Sequence, residues 1–173
     1  MNSQGKVVIV GGGSGGTILA NLLSNKGFEV TLINKKTHHL FLPGLLHVAF
    51  KGYTRNLVKP LREILKQNVK LYIDEVVEVN LDERYVHTLS NKTIEYDYLV
   101  IAGATIDYTQ VPGLKEHVKV YGDYYSTIDN ALKTWKTLKN FSRGTFAIVV
   151  ADPTIDAHLP LMRGFSSRRT VQP

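Results

Sequence analysis

Val7-Val8-Ile9-Val10-Gly11-Gly12-Gly13-Ser14-Gly15-Gly16 joins four consecutive apolar residues directly to a glycine run. An apolar run without alternation reads as a strand buried on both faces. Gly11, Gly13 and Gly16 meet the spacing G-x-G-x-x-G, and the three serve in turn the tight turn, the close approach of backbone to a pyrophosphate, and the packing of helix on strand. Downstream, Thr17 to Lys26 is predicted as a helix, with Ile18, Leu19, Leu22 and Leu23 at helical spacing and Gly27 as its stop. The free N–H groups and positive dipole end at such a helix start attract an anion before any side chain is counted. Val30-Thr31-Leu32-Ile33 supplies a second apolar strand and completes a strand-helix-strand unit. The stretch therefore points to a dinucleotide.

A dinucleotide fingerprint of this kind places Asp or Glu at the end of the second strand, about 20 residues past the glycines, to bind ribose hydroxyls. Here the position holds Asn34, followed by Lys35 and Lys36. Asn donates and accepts hydrogen bonds but lacks the charge that makes a carboxylate bond about twice as strong. Weaker dinucleotide affinity is expected. The two lysines suit either a ribose phosphate, as in NADP, or a solvated loop, and the solvated loop is the preferred reading.

Composition narrows the function class. The 173 residues are 43% hydrophobic and 21% charged, ordinary for a globular protein, and no apolar run nears the roughly 20 residues that span a membrane. With no signal-peptide pattern, a cytoplasmic address is expected. The formal charge of +6 is spread over scattered lysines such as Lys51, Lys66, Lys115 and Lys136, so no nucleic-acid partner is expected. The absence of cysteine excludes disulfides, thiolate metal sites and dithiol redox chemistry within these residues. Adjacent histidines such as His38 and His39 point different ways in most backbones, and no metal site is expected.

Farther along, His38 to Phe50 is apolar without clean periodicity and is interrupted by Pro43-Gly44, as befits a segment that lines something. A helix is expected over Asn56 to Gln67, with Asn56 as cap and Pro60 in its first turn, then a short strand over Val69 to Ile73. Val77 and Val79, Tyr85 to Thr88, and Thr93 to Tyr96 form an expected three-stranded meander with one buried face, turning at Asp82-Glu83 and Ser90-Asn91. Leu99 to Ala102 reads as another buried strand, ending in the small residues Gly103-Ala104. Val111-Pro112-Gly113 marks an expected boundary. Beyond it, Ser126 with Asp129 resembles a capping box, opening a helix with Ile128, Ala131, Leu132, Trp135 and Leu138 on one stripe. Thr145 to Val150 is an expected buried strand, but Ala151-Asp152-Pro153 replaces the glycines of a second phosphate loop. The arginine-rich tail from Ala157 onward has no periodicity.

The order of these elements, with the glycine loop and Tyr96-Asp97-Tyr98-Leu99-Val100-Ile101-Ala102-Gly103-Ala104, resembles the FAD-dependent pyridine nucleotide-disulfide oxidoreductase superfamily. Phe41-Leu42-Pro43-Gly44-Leu45 is most similar to sulfide:quinone oxidoreductases, with type II NADH dehydrogenases second. The resemblance implies an α/β fold: a Rossmann-like FAD-binding domain of parallel sheet plus β-meander over residues 1–110, the start of a second Rossmann-like unit over 111–156, and an irregular tail over 157–173. It implies FAD as cofactor, with Gly11, Gly12, Gly13, Ser14, Gly15 and Gly16 at the pyrophosphate and Asn34 with Lys35 at the adenosine ribose. Val76 would meet the adenine through its backbone, Pro43 the isoalloxazine, and Ala102 and Gly103 the flavin phosphates.

Gly103-Ala104 stands where the family has Thr-Gly, and Asn34 where it has an acid. The family's later Gly-Asp segment and its reactive cysteines are not in these residues. The expectation is thus the FAD-binding portion of a flavin-dependent oxidoreductase, truncated and without catalytic residues or turnover of its own. Two alternatives stay open: a non-catalytic nucleotide-binding or subunit-interaction module, and an NADH dehydrogenase-type flavoprotein. A homo-oligomer or second subunit is expected to cover the incomplete sheet.

Overall fold

The structure, a computed structural model, describes residues 4–103 and 111–145. Residues 1–140 form one compact unit and 141–173 a second, of which only 141–145 are described. The expected strand over Thr145 to Val150 and the tail lie outside the described residues, apart from Thr145.

The first unit is built on four parallel strands: β1 (Lys6–Val10), β2 (Glu29–Asn34), β5 (Lys70–Ile73) and β9 (Tyr98–Ile101). Their order across the sheet is β5-β2-β1-β9. The chain lays strands outward from β1 in one direction and then returns to its other side, so the order reverses between β1 and β9. In open parallel sheets a ligand crevice forms at such a reversal, beyond the carboxyl ends of the strands.

Helix α1 (Ser14–Asn25) covers one face of this sheet. Val7, Ile9, Val30, Leu32 and Leu71 point into a core with Ala20, Leu61 and Leu65. Val8 and Ile33 point the other way and meet Val86 and Tyr96. Both faces are therefore covered, which is why β1 carries no polar alternation. The helix begins three residues earlier than the stripe predicted. Its buried side is Gly16, Thr17, Ala20 and Ser24 with Leu19 and Leu23 against them, whereas Ile18 and Leu22 are 59% and 54% exposed.

The second face is covered by the meander β6 (Val76–Asn80), β7 (Tyr85–Thr88) and β8 (Thr93–Glu95), antiparallel throughout. Its turns place Arg84 and Asn91 at positive φ. Val77 and Val79, expected to face inward, are 54% and 37% exposed. The register shifts between Val76 and Glu78, and that bulge breaks the alternation so that Val76 packs inward instead. Nor is β9 the buried strand expected: among the described residues it stands at the edge of the sheet, with Leu99 and Val100 half-buried and Ile101 71% exposed.

Two segments depart further from expectation. The aperiodic segment after β2 folds into β3 (His38–Leu40), a 3-10 turn over Leu42–Gly44, and α2 (Leu45–Lys51). The helix expected over 56–67 is only α3 (Leu61–Ile64), because residues Val58–Pro60 form β4 and pair antiparallel with β3. Asn56 has φ 61 and caps nothing helical. Pro60, with φ −57 and ψ 134, ends the strand and precedes the helix.

Past Pro112, α4 (Leu114–Tyr121) leads to α5 (Ile128–Lys139), which packs on α2 through Ala131, Ile128 and Leu132 against Leu45, Val48 and Ala49. These helices belong to the same compact unit as the sheet. The cap of α5 is Thr127, whose Oγ1 accepts from the Asn130 N–H at 3.1 Å, one residue later than expected. Ser126 is held by Asp123, to which its backbone N–H donates at 2.7 Å.

Trp135, the chain's single tryptophan, lies over Gly52 at the end of α2. Gly52 has φ 67, and a Cβ built on it would stand 2.7 Å from the indole Nε1. Gly52→Ala is expected to cost about 1–3 kcal/mol, from strain at positive φ and displacement of the indole. A lower denaturation midpoint with a red-shifted Trp135 emission checks it.

Asp74, between β5 and β6, ties the meander to the sheet. Its carboxylate accepts from the Ser90 hydroxyl and from its neighbour's N–H at Glu75, 2.8 Å away. Hydrogen bonding from Ser90, and next from Thr88, lowers its pKa from 3.8 to about 2. The folded value lies below the unfolded one, so the stabilisation is complete above about pH 4 and lost as pH falls toward 2. In Ser90→Ala, carbon-detected NMR titration is expected to find Asp74 moved up toward 3.8; an unmoved titration would contradict the assigned cause.

Candidate cofactor site

The glycine loop sits at the reversal of strand order, at the carboxyl end of β1. Gly11 has φ 113, and a Cβ there would meet the Ala102 carbonyl at 2.7 Å and the Gly103 nitrogen at 2.8 Å. The two small-residue loops, one after β1 and one after β9, therefore touch. Ala102 continues the ladder, its N–H donating to the Val10 carbonyl at 2.8 Å. At the other end of the loop a Cβ on Gly16 would lie 2.0 Å from the Gly11 carbonyl oxygen. Only glycine lets α1 start this close to β1.

Between these packed glycines the loop opens. Gly13, Ser14 and Gly15 are exposed, and Cβ atoms built on Gly13 and Gly15 would meet nothing within 4 Å. Gly13, the N-cap of α1, is extended at φ −72 and ψ −175; no side chain caps the helix and its first turn holds no acid. The first-turn N–H groups and the positive dipole end thus face open space. A cradle bounded by main chain and left unfilled by side chains fits a phosphate group.

Asn34 ends β2 beside this cradle. Its Oδ1 accepts from the Gly12 N–H at 2.8 Å and its Nδ2 donates to the Lys36 carbonyl at 2.6 Å. A Cβ on Gly12 would stand 2.9 Å from the Asn34 side chain. Asn34 is a strut of the loop as well as a neighbour of the cradle. Lys35 turns to Glu75, with Nζ to Oε1 at 2.5 Å, and the Asp74 N–H donates to the Asn34 carbonyl at 3.0 Å. The ends of β2 and β5 are thereby clamped, and Val76, half-buried, follows directly. Lys36 is exposed.

The structure thus brings together the loop, Asn34, Ala102 and Gly103, with Lys35 and Val76 at the β2–β5 end. Pro43 stands apart on the 3-10 turn, exposed beside exposed Phe41 and Leu42. Sequence reading missed one neighbour. His39 reaches the loop from β3, its Nδ1 3.2 Å from the Gly12 carbonyl oxygen and its Nε2 3.5 Å from the Ser14 hydroxyl. No local pattern could have signalled it, since the contact spans 27 residues. Among the described residues no group of three or more His, Asp or Glu is placed to hold a metal ion, and no helix is long and apolar enough to cross a membrane.

The chain is similar in sequence and in fold to known proteins. Mouse mitochondrial sulfide:quinone oxidoreductase is 32% identical over 146 residues, covering 80% of this chain and 32% of its own length. A type II NADH:quinone oxidoreductase of Mycobacterium tuberculosis is 29% identical, covering 86% of the chain and 35% of its length. The crystal structure of the Aquifex aeolicus sulfide:quinone oxidoreductase superposes with a TM-score of 0.62 at 28% identity, over 78% of this chain and 31% of that one. The chain spans about a third of the length of these relatives. Residues 5–149 match the family model described as pyridine nucleotide-disulphide oxidoreductase, and the chain belongs to that family.

Proposed function

We propose that the chain is the FAD-binding portion of a flavin-dependent oxidoreductase of the sulfide:quinone type. The observation that carries the reading is the open cradle at Gly13–Gly15, framed by closely packed Gly11 and Gly16 at the reversal of strand order. In this reading the N–H groups of the loop hold the pyrophosphate, and the clamped β2–β5 end at Asn34, Lys35 and Val76 receives the adenosine. Ala102 and Gly103, pressed on Gly11, border the flavin phosphates, and Pro43 approaches the isoalloxazine. Bound there, FAD would supply the electron chemistry that the side chains do not. The residues' part is to bind and orient: main-chain donors neutralise phosphate charge, and Asn34 holds Gly12 without adding negative charge beside it.

Relatives named for sulfide and for NADH match largely the same share of the chain, which favours NADH:quinone chemistry as a second reading.

Two glycine variants test the cradle. Gly13→Ala places its methyl in open space on extended backbone, so folding should change by less than about 1 kcal/mol while FAD binding falls at least about tenfold. Gly16→Ala instead drives a methyl into the Gly11 carbonyl and should cost about 1–3 kcal/mol of stability together with binding. Fluorescence titration with FAD, paired with urea unfolding, reads both. Full FAD affinity in Gly13→Ala, or no FAD uptake by the unaltered chain, would overturn the reading.

A further inference from the structure

The ribbon of β3 and β4 sets His39 opposite Lys59.

His39 grips two points of the glycine loop. A backbone carbonyl only accepts, so the contact with Gly12 requires the hydrogen on Nδ1, which donates at 3.2 Å. Nε2 is then left to accept from the Ser14 hydroxyl at 3.5 Å. Asn34 already holds the Gly12 N–H. The two side chains thus pin the peptide groups on both sides of Gly12. The Gly12 carbonyl and the Gly13 N–H share one planar, trans peptide and point in opposite directions. Drawing the carbonyl toward His39 therefore turns the Gly13 N–H away from it and fixes its aim.

We propose that His39 is the positioning residue of the cradle: it sets the Gly12–Gly13 peptide plane so that the Gly13 N–H presents to the pyrophosphate of a dinucleotide. This rests on the dinucleotide reading of the loop and adds a recognition element from a strand outside the parallel sheet. The ligand feature recognised is the diphosphate, so ADP and FAD respond alike.

Calorimetric titration of the full chain with ADP and with FAD tests it. His39→Ala should weaken both about tenfold, the worth of one well-placed hydrogen bond. His39→Asn, whose Nδ2 can donate where Nδ1 did, should recover most of that loss, which a merely space-filling role would not give. Unaltered protein that binds neither ligand removes the dinucleotide reading itself. Binding that is normal in the parent and unchanged in His39→Ala overturns the role of His39 alone, as does a loss that His39→Asn fails to recover. If His39→Ala does not fold, His39→Asn carries the test: near-parental affinity upholds the proposal and a tenfold loss overturns it.

Discussion

The contact of Gly16 with the Gly11 carbonyl is the constraint on which the site depends. A methyl at Gly16 would sit at 2.0 Å from that oxygen, closer than any real contact allows. Because the hydrogen of glycine fits, α1 starts directly over the end of β1 and its first-turn N–H groups face the crevice where strand order reverses. Moving α1 outward by even a methyl radius would carry Gly13–Gly15 away from Ala102 and Gly103, and the two loops would no longer border one space. Close packing at one glycine is thus what turns a helix dipole into a localised positive site.

The covering of the sheet explains why such a loop can be held open. The loop lies at the edge of two cores, one under α1 and one under the meander, and both are closed by fully buried aliphatics such as Ile9, Leu32, Val8 and Val86. Rigid strands on either side leave the exposed main chain of Gly13–Gly15 little need for side chains of its own. Asn34 and His39 then fix what the cores do not reach, the peptide planes around Gly12.

What the sequence told divides along the same physical line. β1, α1, β2 and the meander were legible because each announces itself locally, by a continuous apolar run, a helical stripe ending in glycine, or alternation between turn residues. The segment from His38 to Ile64 was not, because β3 and β4 exist only through each other: Leu40 pairs Val58 and His38 pairs Pro60, and neither three-residue strand has a pattern alone. That long-range pairing takes Val58–Pro60 out of a helical window. The bulge at Val77 defeated the reading of β6 in the same way, since one extra residue reverses which valines look inward. Around the loop, the glycines and Asn34 were legible from their spacing along the chain and lie together in the structure, while His39, presented by the unforeseen ribbon, had no such signal.

Asn34 shows how the departure from the family pattern and the geometry fit together. An acid at the end of β2 would accept from the Gly12 N–H as Asn34 does, but it would set a negative charge beside the cradle and could not donate to the Lys36 carbonyl. The amide makes both bonds at 2.8 and 2.6 Å, closing the turn after β2 and holding the loop after β1 with one neutral group. The amide therefore braces the loop from two sides and adds no negative charge there, while Lys35 reaches across to Glu75.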